Sequence, residues 1–326
     1  MSSLVSIILV NYNGRRFLPA CLEALARQRF PAWRTEVLLV DNASTDDSLA
    51  LVRQHYPWVR IVESASNRGF AAGNNLGVSL ARGEWVVLLN TDTVPEPSWL
   101  AELVAVAEHT DATGLASRLL FPGEPARINS TGLVLCRDGR GADRGEGELD
   151  LGQYDQDDEV FGGCGASLLI RRDDYLALGG LDERLFMYYE DLDFAWRARQ
   201  RGGRFRYVPR SVVRHLQAGS AGLGSPFQLY HIERSRTIVA LKNAPATLAA
   251  YALVGCLARC LRAAWRVRRL GLAQTLAHWR AAASVCWHLP AICRDRLRLR
   301  WWSPRLGDGA IRRWMVDPPQ ARRLSA

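Results

Sequence analysis

The first hundred residues alternate between short, continuous apolar runs and stretches whose apolar residues recur at helical spacing. The apolar runs occupy residues 5–10, 37–40, 59–62 and 85–89. Uninterrupted runs of this length are typical of strands buried on both faces of a parallel sheet. The stretches between them, such as residues 71–80, have helical periodicity. The alternation predicts an α/β, Rossmann-like fold with a mostly parallel central sheet and helices on both faces.

Polar residues stand where three of these predicted strands end. Asn11 and Asn13 follow the first strand, Asp41 ends the second, and Asn90 and Asp92 follow the fourth. Ligands bind at the carboxyl ends of parallel strands, where a carboxylate can accept from a base N–H and backbone amides can hold a phosphate. One such cluster alone is an ordinary turn or cap. Three at successive strand ends indicate a nucleotide site.

Two further groups of residues carry candidate chemistry. Glu190 and Asp191 lie beside tyrosines at a predicted helix start, where acids can supply a general base or simply complement the helix dipole. Asp92 is a hard oxygen ligand for Mg²⁺ or Mn²⁺ with a diphosphate, or the cap of a helix beginning near residues 95–97. His215 is either structural or a ligand, and the neighbouring loop 219–222 could bind phosphate or merely turn.

The rest of the chain gives weaker patterns. Residues 122–158 are rich in glycine and charged residues, which predicts a long excursion or flexible loop. Strands are predicted over residues 166–170 and 205–208, and a helix over 191–201. Residues 226–302 are helical in pattern, apolar and rich in arginine, and the tail after residue 304 is expected to be loosely ordered.

Together these residues resemble a family 2 glycosyltransferase of the GT-A fold, of the rhamnosyltransferase-like kind. The matching stretches are VSIILVNYNG, LLVDNASTDDS, NRGFAAGNNLG, LLNTDT, GGCGASLLIRRDDYLALGGLDERLFMYYEDLDFAWRARQRG and VVRHLQAGS. They cover about residues 4–220 in the family's order, and their combination is far more specific than any one of them. The resemblance implies a GT-A catalytic domain over residues 1–225, with a nucleotide-sugar half (1–120) and an acceptor and catalytic half (121–225), followed by a helical basic region (226–326).

The resemblance also implies roles for particular residues. The donor-binding residues would be Asn11, Asn13, Asp41, Asn67, Gly69, Asn74 and Asn90. Asp92 matches the metal-binding acid of the family's Asp-x-Asp motif, and His215 matches a histidine that completes the metal site, which would hold Mg²⁺ or Mn²⁺. The first acid of that motif is replaced by Asn90, so the metal would have fewer carboxylate ligands. Asp191 would be the catalytic base, with Glu190 as the fallback.

Charge is unevenly distributed along the chain. The net charge is +9, yet residues 226–326 carry 18 basic and 4 acidic side chains, with tryptophans interleaved among the arginines. This combination on helices suits the headgroup region of an anionic membrane, although a helical subdomain with a solvated arginine face would have the same composition. The pattern of residues 1–10 predicts a strand rather than a secretory signal, and the longest apolar segment, residues 244–261, is interrupted by Arg259. We therefore expect a cytoplasmic protein, peripheral on the inner face of the cell membrane.

These observations narrow the function to a few classes. The leading hypothesis is an inverting transferase that moves a sugar from dTDP-rhamnose, or second from a UDP-sugar, to a hydroxyl of a lipid-linked or glycan acceptor. A catalytically inactive membrane-bound scaffold and a nucleotidyltransferase are the alternatives. No Gly-x-Gly-x-x-Gly follows the first strand and no Gly-Lys-Ser/Thr occurs, which argues against dinucleotide oxidoreductases and P-loop enzymes. The seven cysteines form no Cys-x-x-Cys, and no nucleic-acid-binding motif is present.

Overall fold

The computed structural model of the chain describes residues 4–217, 222, 224–301 and 308–317. Its strands are β1 (Val5–Asn11), β2 (Thr35–Asp41), β3 (Arg60–Glu63), β4 (Trp85–Asn90), β5 (Thr93–Pro95), β6 (Gly114–Leu120), β7 (Ile128–Ser130), β8 (Leu133–Cys136), β9 (Gly141–Asp143), β10 (Asp158–Val160), β11 (Ser167–Arg171), β12 (Phe205–His215) and β13 (Met315–Val316). Its α-helices are α1 (Leu18–Ala26), α2 (Ser48–His55), α3 (Gly69–Leu80), α4 (Trp99–Ala107), α5 (Arg172–Ala177), α6 (Glu190–Gln200), α7 (Pro226–Asn243), α8 (Ala246–Trp265), α9 (Val267–Leu270), α10 (Leu272–Trp301) and α11 (Asp308–Arg312). Short 3₁₀-helices occupy Ala32–Arg34 and Glu183–Leu185.

The large sheet has the strand order β10-β12-β6-β11-β4-β1-β2-β3, with β5 paired to β12 and β7 to β6. Strand β1 is parallel to β2 and β4, and β12 is parallel to β6. Strand β11 runs antiparallel to both β4 and β6, so the sheet is mixed. Following these pairings, the carboxyl ends of β1, β2, β4 and β12 lie at the same edge of the sheet.

Each face of the sheet is covered by its own buried cluster. Because side chains alternate along a strand, Ile8 of β1 packs on one face with Val78 of α3. Its neighbours Ile7 and Leu9 pack on the other face with Trp99 of α4. The sequence prediction of helices on both faces of the sheet is therefore confirmed.

The C-terminal helices share the buried cluster on the α3 side of the sheet. Ile238 of α7 and Val285 and Ile292 of α10 belong to the same cluster as Leu192 of α6. The predicted domain boundary at residue 225 stays a prediction, but the core does not stop there. Helix α8 is less enclosed: it is long and apolar enough to cross a membrane, by length and composition alone, and 22% of the tested segment is buried.

Two sequence predictions were wrong. Residues 122–158 are not one loop, because they contain β7, β8, β9 and the start of β10. Strands of three or four residues are too short to show a period of two, and the turns between them supply the glycines that suggested a loop. The tail after residue 304 is also ordered over residues 308–317, where β13 pairs in parallel with β8; the rest of it lies outside the described residues.

Strand β12 is longer than predicted, and its extension shapes the site. The sequence predicts a strand over residues 205–208 and a separate strand-like stretch over residues 211–213, whereas β12 runs through both and continues to His215. The register with β6 shifts between Val208 and Val212, around Pro209, as expected where proline interrupts a strand at an irregularity. Beyond the shift, His215 pairs with Thr93 of β5. This pairing brings His215 next to the residues that follow β4.

Candidate active site

The polar strand ends are in register, as the spacing predicts. Asn11 pairs with Asp41 across β1 and β2, and Val10 pairs with Asn90 across β1 and β4. The Asn11 side-chain amide donates to Asp41 Oδ1 over 2.8 Å, and the Ser44 hydroxyl donates to the same oxygen over 2.6 Å. Asn11 and Asp41 are both fully buried. They hold the ends of β1 and β2 together. Neither of them lines the cavity that lies beside these strand ends.

A cavity of about 270 Å³ opens at this edge, and we call it the donor cavity. Five of the predicted site residues line it: Asn13, Asn67, Gly69, Asn90 and Asp92. Asn74 is not among the lining residues. It is fully buried, and its amide donates to the Phe70 carbonyl over 3.0 Å. The structure therefore gives Asn74 a place inside α3 rather than a direct contact with this cavity.

Gly69 occupies a position that only glycine fits. Its φ of +83° lies in the left-handed region, and a Cβ there would stand 2.5 Å from the Phe186 carbonyl oxygen. Asn67 Oδ1 accepts from Gly69 N over 2.9 Å, and the Asn42 amide donates to the Gly69 carbonyl over 2.9 Å. The start of α3 is thus fixed close to the Phe186 backbone, without a side chain between them.

A second cavity of about 320 Å³ adjoins the first, and we call it the acceptor cavity. It is lined by the remaining predicted chemistry, Glu190, Asp191 and His215, together with Asn90 and Asp92. Four residues line both cavities: Phe70, Asn90, Asp92 and Met187. The two cavities therefore meet at the end of β4, beside Asp92.

Asp92 and His215 converge at this junction. His215 Nε2 lies 3.3 Å from Asp92 Oδ1, and the other ring nitrogen, Nδ1, lies 2.8 Å from Asn129 Oδ1. An amide oxygen can only accept, so Nδ1 carries a proton, and Nε2, which faces Asp92, is the nitrogen through which a neutral His215 ring could coordinate a metal. The Asn90 amide nitrogen is 3.4 Å from the same Nε2.

The metal-binding side chains at this junction fit a divalent ion whose remaining ligands come from a diphosphate. They provide one carboxylate and one imidazole nitrogen whose tautomer is already set for coordination. No group of three or more His, Cys, Asp or Glu side chains able to hold a metal occurs within residues 4–217, 222, 224–301 and 308–317. Asp92 and His215 alone would therefore supply only two of the ligands that such an ion needs, and Asn90 stands where the resemblance implies a further acid.

Glu190 and Asp191 lie at the first turn of α6. Asp191 Oδ2 accepts from Gly165 N over 3.0 Å, and Oδ1 accepts from its neighbour Leu192 N over 2.7 Å. Burial raises the pKa of Asp191, and these N–H groups offset part of the effect. Burial and, next, the charge of Asp191 raise the pKa of Glu190 to about 8. The two backbone N–H groups stabilise the ionised form of the Asp191 carboxyl group, which favours it over Glu190 as the base.

The turn before α6 is held in an unusual backbone conformation. Phe186, Tyr188 and Tyr189 have positive φ angles of 65°, 66° and 70°. Such angles are unfavourable for large side chains and persist only where the surroundings enforce them. Met187, inside this turn, lines both cavities. This turn thus borders the junction of the two cavities, and it positions the start of α6.

Sequence reasoning missed several residues of the site. Asn129 and Asp143 lie in the segment predicted to be a loop, and Arg16, which follows β1, lines the donor cavity. The position of Arg16 just after the first strand could have indicated a role at the carboxyl edge of the sheet. Nothing in the sequence indicated that Asn129 or Asp143 would lie at this edge. Of the predicted phosphate-binding loop 219–222, residues 219–221 lie outside the described residues.

Comparisons with known proteins agree with this geometry. Residues 6–177 match the profile of "Glycosyl transferase family 2". The chain is 28% identical over 248 residues to the N-acetylglucosaminyl-diphospho-decaprenol L-rhamnosyltransferase of Mycobacterium tuberculosis, covering 68% of this chain and 79% of that protein. It is 30% identical over 227 residues to the O-antigen biosynthesis protein RfbC of Myxococcus xanthus, covering 65% of this chain and 17% of RfbC. The chain spans a quarter or less of the length of two of its relatives, RfbC among them.

The fold is also that of solved enzymes. The mannosyltransferase PcManGT of Pyrobaculum calidifontis, solved with GDP-Man and Mn²⁺, superimposes with a TM-score of 0.55 at 18% identity, over 88% of each chain. At that identity the likeness shows the fold alone, and it confirms the predicted GT-A architecture. The family profile covers more than half of the chain, and this match confirms the resemblance seen in the sequence. The chain therefore belongs to glycosyltransferase family 2 and is an enzyme of the transferase class.

Proposed function

We propose that the chain is an inverting glycosyltransferase that moves a sugar from a nucleotide-diphosphate donor to a hydroxyl of a lipid-linked or glycan acceptor in cell-surface glycan synthesis. One observation carries the proposal: two cavities meet at Asp92, one beside the polar strand ends and the other beside Asp191. A donor bound in the first would present its sugar at the junction, where an acceptor hydroxyl from the second could reach it.

The donor would be a nucleotide sugar, with dTDP-rhamnose the first choice and a UDP-sugar the second. The rhamnosyltransferase activity in the name of the mycobacterial relative supports the first choice. Asn13 and Asn67 offer polar groups in the donor cavity, and Arg16 brings a guanidinium that suits a diphosphate. The buried Asn11 and Asp41 would act indirectly, by fixing the strand ends on which the neighbouring polar residues stand.

A divalent ion, Mg²⁺ or Mn²⁺, would be held by Asp92 and His215, and it would offset the negative charge that develops on the departing diphosphate. Asn129 orients His215 for this role through its contact with Nδ1. The Mn²⁺ in the solved mannosyltransferase supports a metal of this kind. Asn90 adds a neutral amide where a second carboxylate would bind the ion more tightly.

Asp191 would be the general base. Asp191 lines the acceptor cavity, and its carboxylate oxygens accept from the backbone N–H groups of Gly165 and Leu192. In the proposed reaction the acceptor hydroxyl gives its proton to Asp191 while its oxygen forms a bond to the anomeric carbon. The bond between that carbon and the diphosphate oxygen breaks, and the electron pair leaves with the diphosphate. Attack from the opposite face inverts the anomeric centre, and no covalent intermediate is needed.

The acceptor side would lie at an anionic membrane surface, on the cytoplasmic face. The exposed side of α8 is apolar at Val254, Leu257 and Leu261, and basic residues follow it, beginning with Arg262. A surface of this composition suits the headgroup region of a bilayer. Placement there would bring the acceptor cavity close to a lipid-linked acceptor, the substrate class named for the mycobacterial relative.

The test is a binding and turnover screen on the purified full chain, with dTDP-, UDP- and GDP-sugars, with and without Mn²⁺ or Mg²⁺. We expect one donor to bind in a metal-dependent way and Asp92→Ala to weaken that binding. Asp191→Asn should retain donor binding and lose turnover by about 10²- to 10⁴-fold. The matched control is Asp173→Asn, the same change at an exposed site on α5, which should change neither quantity.

Two outcomes would contradict the proposal. Failure of every donor to bind, under any metal condition, would favour a catalytically inactive scaffold. Synthesis of a nucleotide sugar from a sugar phosphate and a nucleoside triphosphate would instead indicate a nucleotidyltransferase.

A further inference from the structure

A fourth carboxyl group, which the proposed reaction does not use, lines the acceptor cavity beside those of Asp92, Glu190 and Asp191. Asp143 ends strand β9 and faces the cavity also lined by Glu190 and Asp191. The segment that carries it, residues 122–158, comes from outside the Glu190–Asp191 motif. The fold therefore brings an acid from a separate hairpin to the place where the acceptor would bind.

The hairpin is held rigidly against the catalytic helix. Strands β8 and β9 pair with Leu133 opposite Asp143. Gly141, two residues before Asp143, packs so closely on α6 that a Cβ there would stand 2.8 Å from a Leu192 methyl carbon. The position of Asp143 relative to Asp191 is thus set by direct packing of β9 on α6.

The neighbouring cation does not neutralise Asp143. Arg144 forms an ion pair with Asp158, and its Nε donates to the Thr131 carbonyl over 3.2 Å. None of the described residues lining the acceptor cavity is an arginine or a lysine. Asp143 therefore shares the cavity with other acids and with His215, and no basic side chain in the described part of its wall compensates it.

Polar atoms in this cavity lack partners. Asp143 Oδ1 and Glu190 Oε2 are buried without a hydrogen bond within the described part of the chain, and Glu190 as a whole is 6% exposed. Burial and, to a smaller extent, Asp191 and Glu146 raise the pKa of Asp143 to about 7, with the Ser130 hydroxyl acting in the opposite direction. A carboxyl group in this state can donate as well as accept a hydrogen bond. The Ser130 hydroxyl and the Cys164 thiol are hydrogen-bond partners of this carboxyl group, but Oδ1 has no partner among the described residues. A buried oxygen without a partner is unfavourable for folding, which points to a role in binding a ligand.

We propose that Asp143 binds the acceptor sugar, by a hydrogen bond between its carboxyl group and a hydroxyl next to the one that attacks the donor. The absence of basic side chains from the described wall further restricts the sugar at this site. It is a neutral, hydroxyl-bearing residue, because an anionic sugar would face Asp191, and no basic side chain of the described wall would pair with it. The proposal deepens the proposed function and depends on it for the identity of the bound sugar as the acceptor.

The test uses methyl glycosides as probes of the acceptor cavity in the full chain. Binding of the methyl glycosides of N-acetylglucosamine, rhamnose, galactose and glucuronic acid is measured by ligand-observed NMR, and nucleotide-sugar binding is measured on the same samples. We expect at least one neutral glycoside to bind, and Asp143→Ala to weaken it by about tenfold or more. Asp143→Asn, which keeps shape and one acceptor, should weaken it less. Donor binding should be unchanged in both variants.

The matched control is Asp138→Asn, a loss of the same charge in the turn of the same hairpin. Asp138 pairs with Arg140 and is not among the residues lining the cavity, so glycoside binding should persist. Equal binding by wild type and Asp143→Ala, equal loss in Asp138→Asn, glucuronide binding as tight as that of the neutral glycosides, or no neutral glycoside binding at all would each overturn the proposal. Glycoside binding through Asp143 without any nucleotide-sugar binding would instead remove the proposed function and leave Asp143 as a sugar-binding residue.

Discussion

Two adjacent carboxyl groups acquire different properties from their surroundings at the first turn of α6. Asp191 receives two backbone N–H groups, whereas Glu190 Oε2 has no partner among the described residues. The pKa of Glu190 is raised to about 8, mainly because it is buried. The backbone N–H groups favour the ionised form of Asp191, whereas burial favours the protonated form of Glu190. This difference in surroundings supports the proposal that Asp191, rather than Glu190, is the base.

The raised pKa of Glu190 predicts how stability depends on pH. The folded state binds the Glu190 proton more tightly than the unfolded state, whose pKa is near 4.5. Between pH 4.5 and 8 the folded state therefore holds more protons, so this group makes the free energy of unfolding fall as pH rises through that window. Glu190→Gln should reduce the fall, measured by urea unfolding at pH 5 and pH 9. Glu23→Gln, at an exposed site on α1, is the control; an unchanged slope in Glu190→Gln would contradict the assignment.

Asn129 predicts a measurable effect on metal dependence. Its side-chain oxygen fixes the His215 tautomer, and loss of such an outer contact typically lowers metal affinity or activity by about 10- to 100-fold. Asn129→Ala should therefore raise the Mn²⁺ concentration that gives half-maximal turnover by about that factor. Asn129→Asp retains an acceptor for Nδ1–H and should recover much of the loss. Identical Mn²⁺ dependence in wild type and Asn129→Ala would show that His215 is not oriented in this way.

At the level of elements, buried ion pairs join the catalytic helix to the C-terminal helices. Lys242 of α7, the only lysine in the chain, places Nζ 2.8 Å from Asp193 Oδ2 and 2.7 Å from Asp182 Oδ2. Asn243 donates to the other Asp193 oxygen over 2.7 Å, and Arg197 donates to Oδ2 over 2.8 Å. Asp193 is two residues from Asp191. The C-terminal helices therefore help to fix the position of the proposed base.

Removal of the lysine charge should destabilise the whole fold. Lys242→Met would leave Asp182 and Asp193 buried with fewer cationic partners, and breaking such a pair typically costs about 3–5 kcal/mol. The Lys242 charge also lowers the pKa of Asp193, so the loss should be largest at neutral pH and smaller in acid. Urea unfolding measures it, with Arg262→Met at an exposed position of α8 as the control. A loss no greater than that of the control would show that the network contributes little.

The sequence predicted the part of the site that lies on long elements. Asn90, Asp92 and Asp41 end strands whose apolar runs are long enough to recognise, and parallel pairing then places them at one edge. Asn129 and Asp143 could not be predicted, because they lie on strands of three residues in a segment without periodicity. Their approach to His215 and Asp191 depends on long-range packing. The local sequence pattern of residues 122–158 does not indicate that packing.

At the scale of the whole molecule, the acids of the acceptor cavity contrast with the basic, partly apolar C-terminal region. The acceptor cavity is lined by acids, whereas residues 226–326 carry 18 basic and 4 acidic side chains. Val254, Leu257, Leu261 and Trp265 recur at helical spacing along α8 and are 66%, 56%, 57% and 82% exposed. A solvent-facing apolar stripe of this kind on a basic helix is typical of a surface that docks elsewhere. We propose that it docks on an anionic membrane.

This proposal predicts that apolar and ionic contributions to membrane binding can be separated. The full chain should co-float with vesicles that contain anionic lipid, bind neutral vesicles more weakly, and lose affinity as salt screens the arginines. Leu257→Glu with Leu261→Glu should abolish flotation, because two charges would replace the apolar contact on one face of α8. The matched control is Leu151→Glu with Leu176→Glu, which makes the same change at two exposed leucines outside the C-terminal helices. If both double variants float like wild type, α8 is not the membrane contact; if both fail, the loss reflects added negative charge rather than that face.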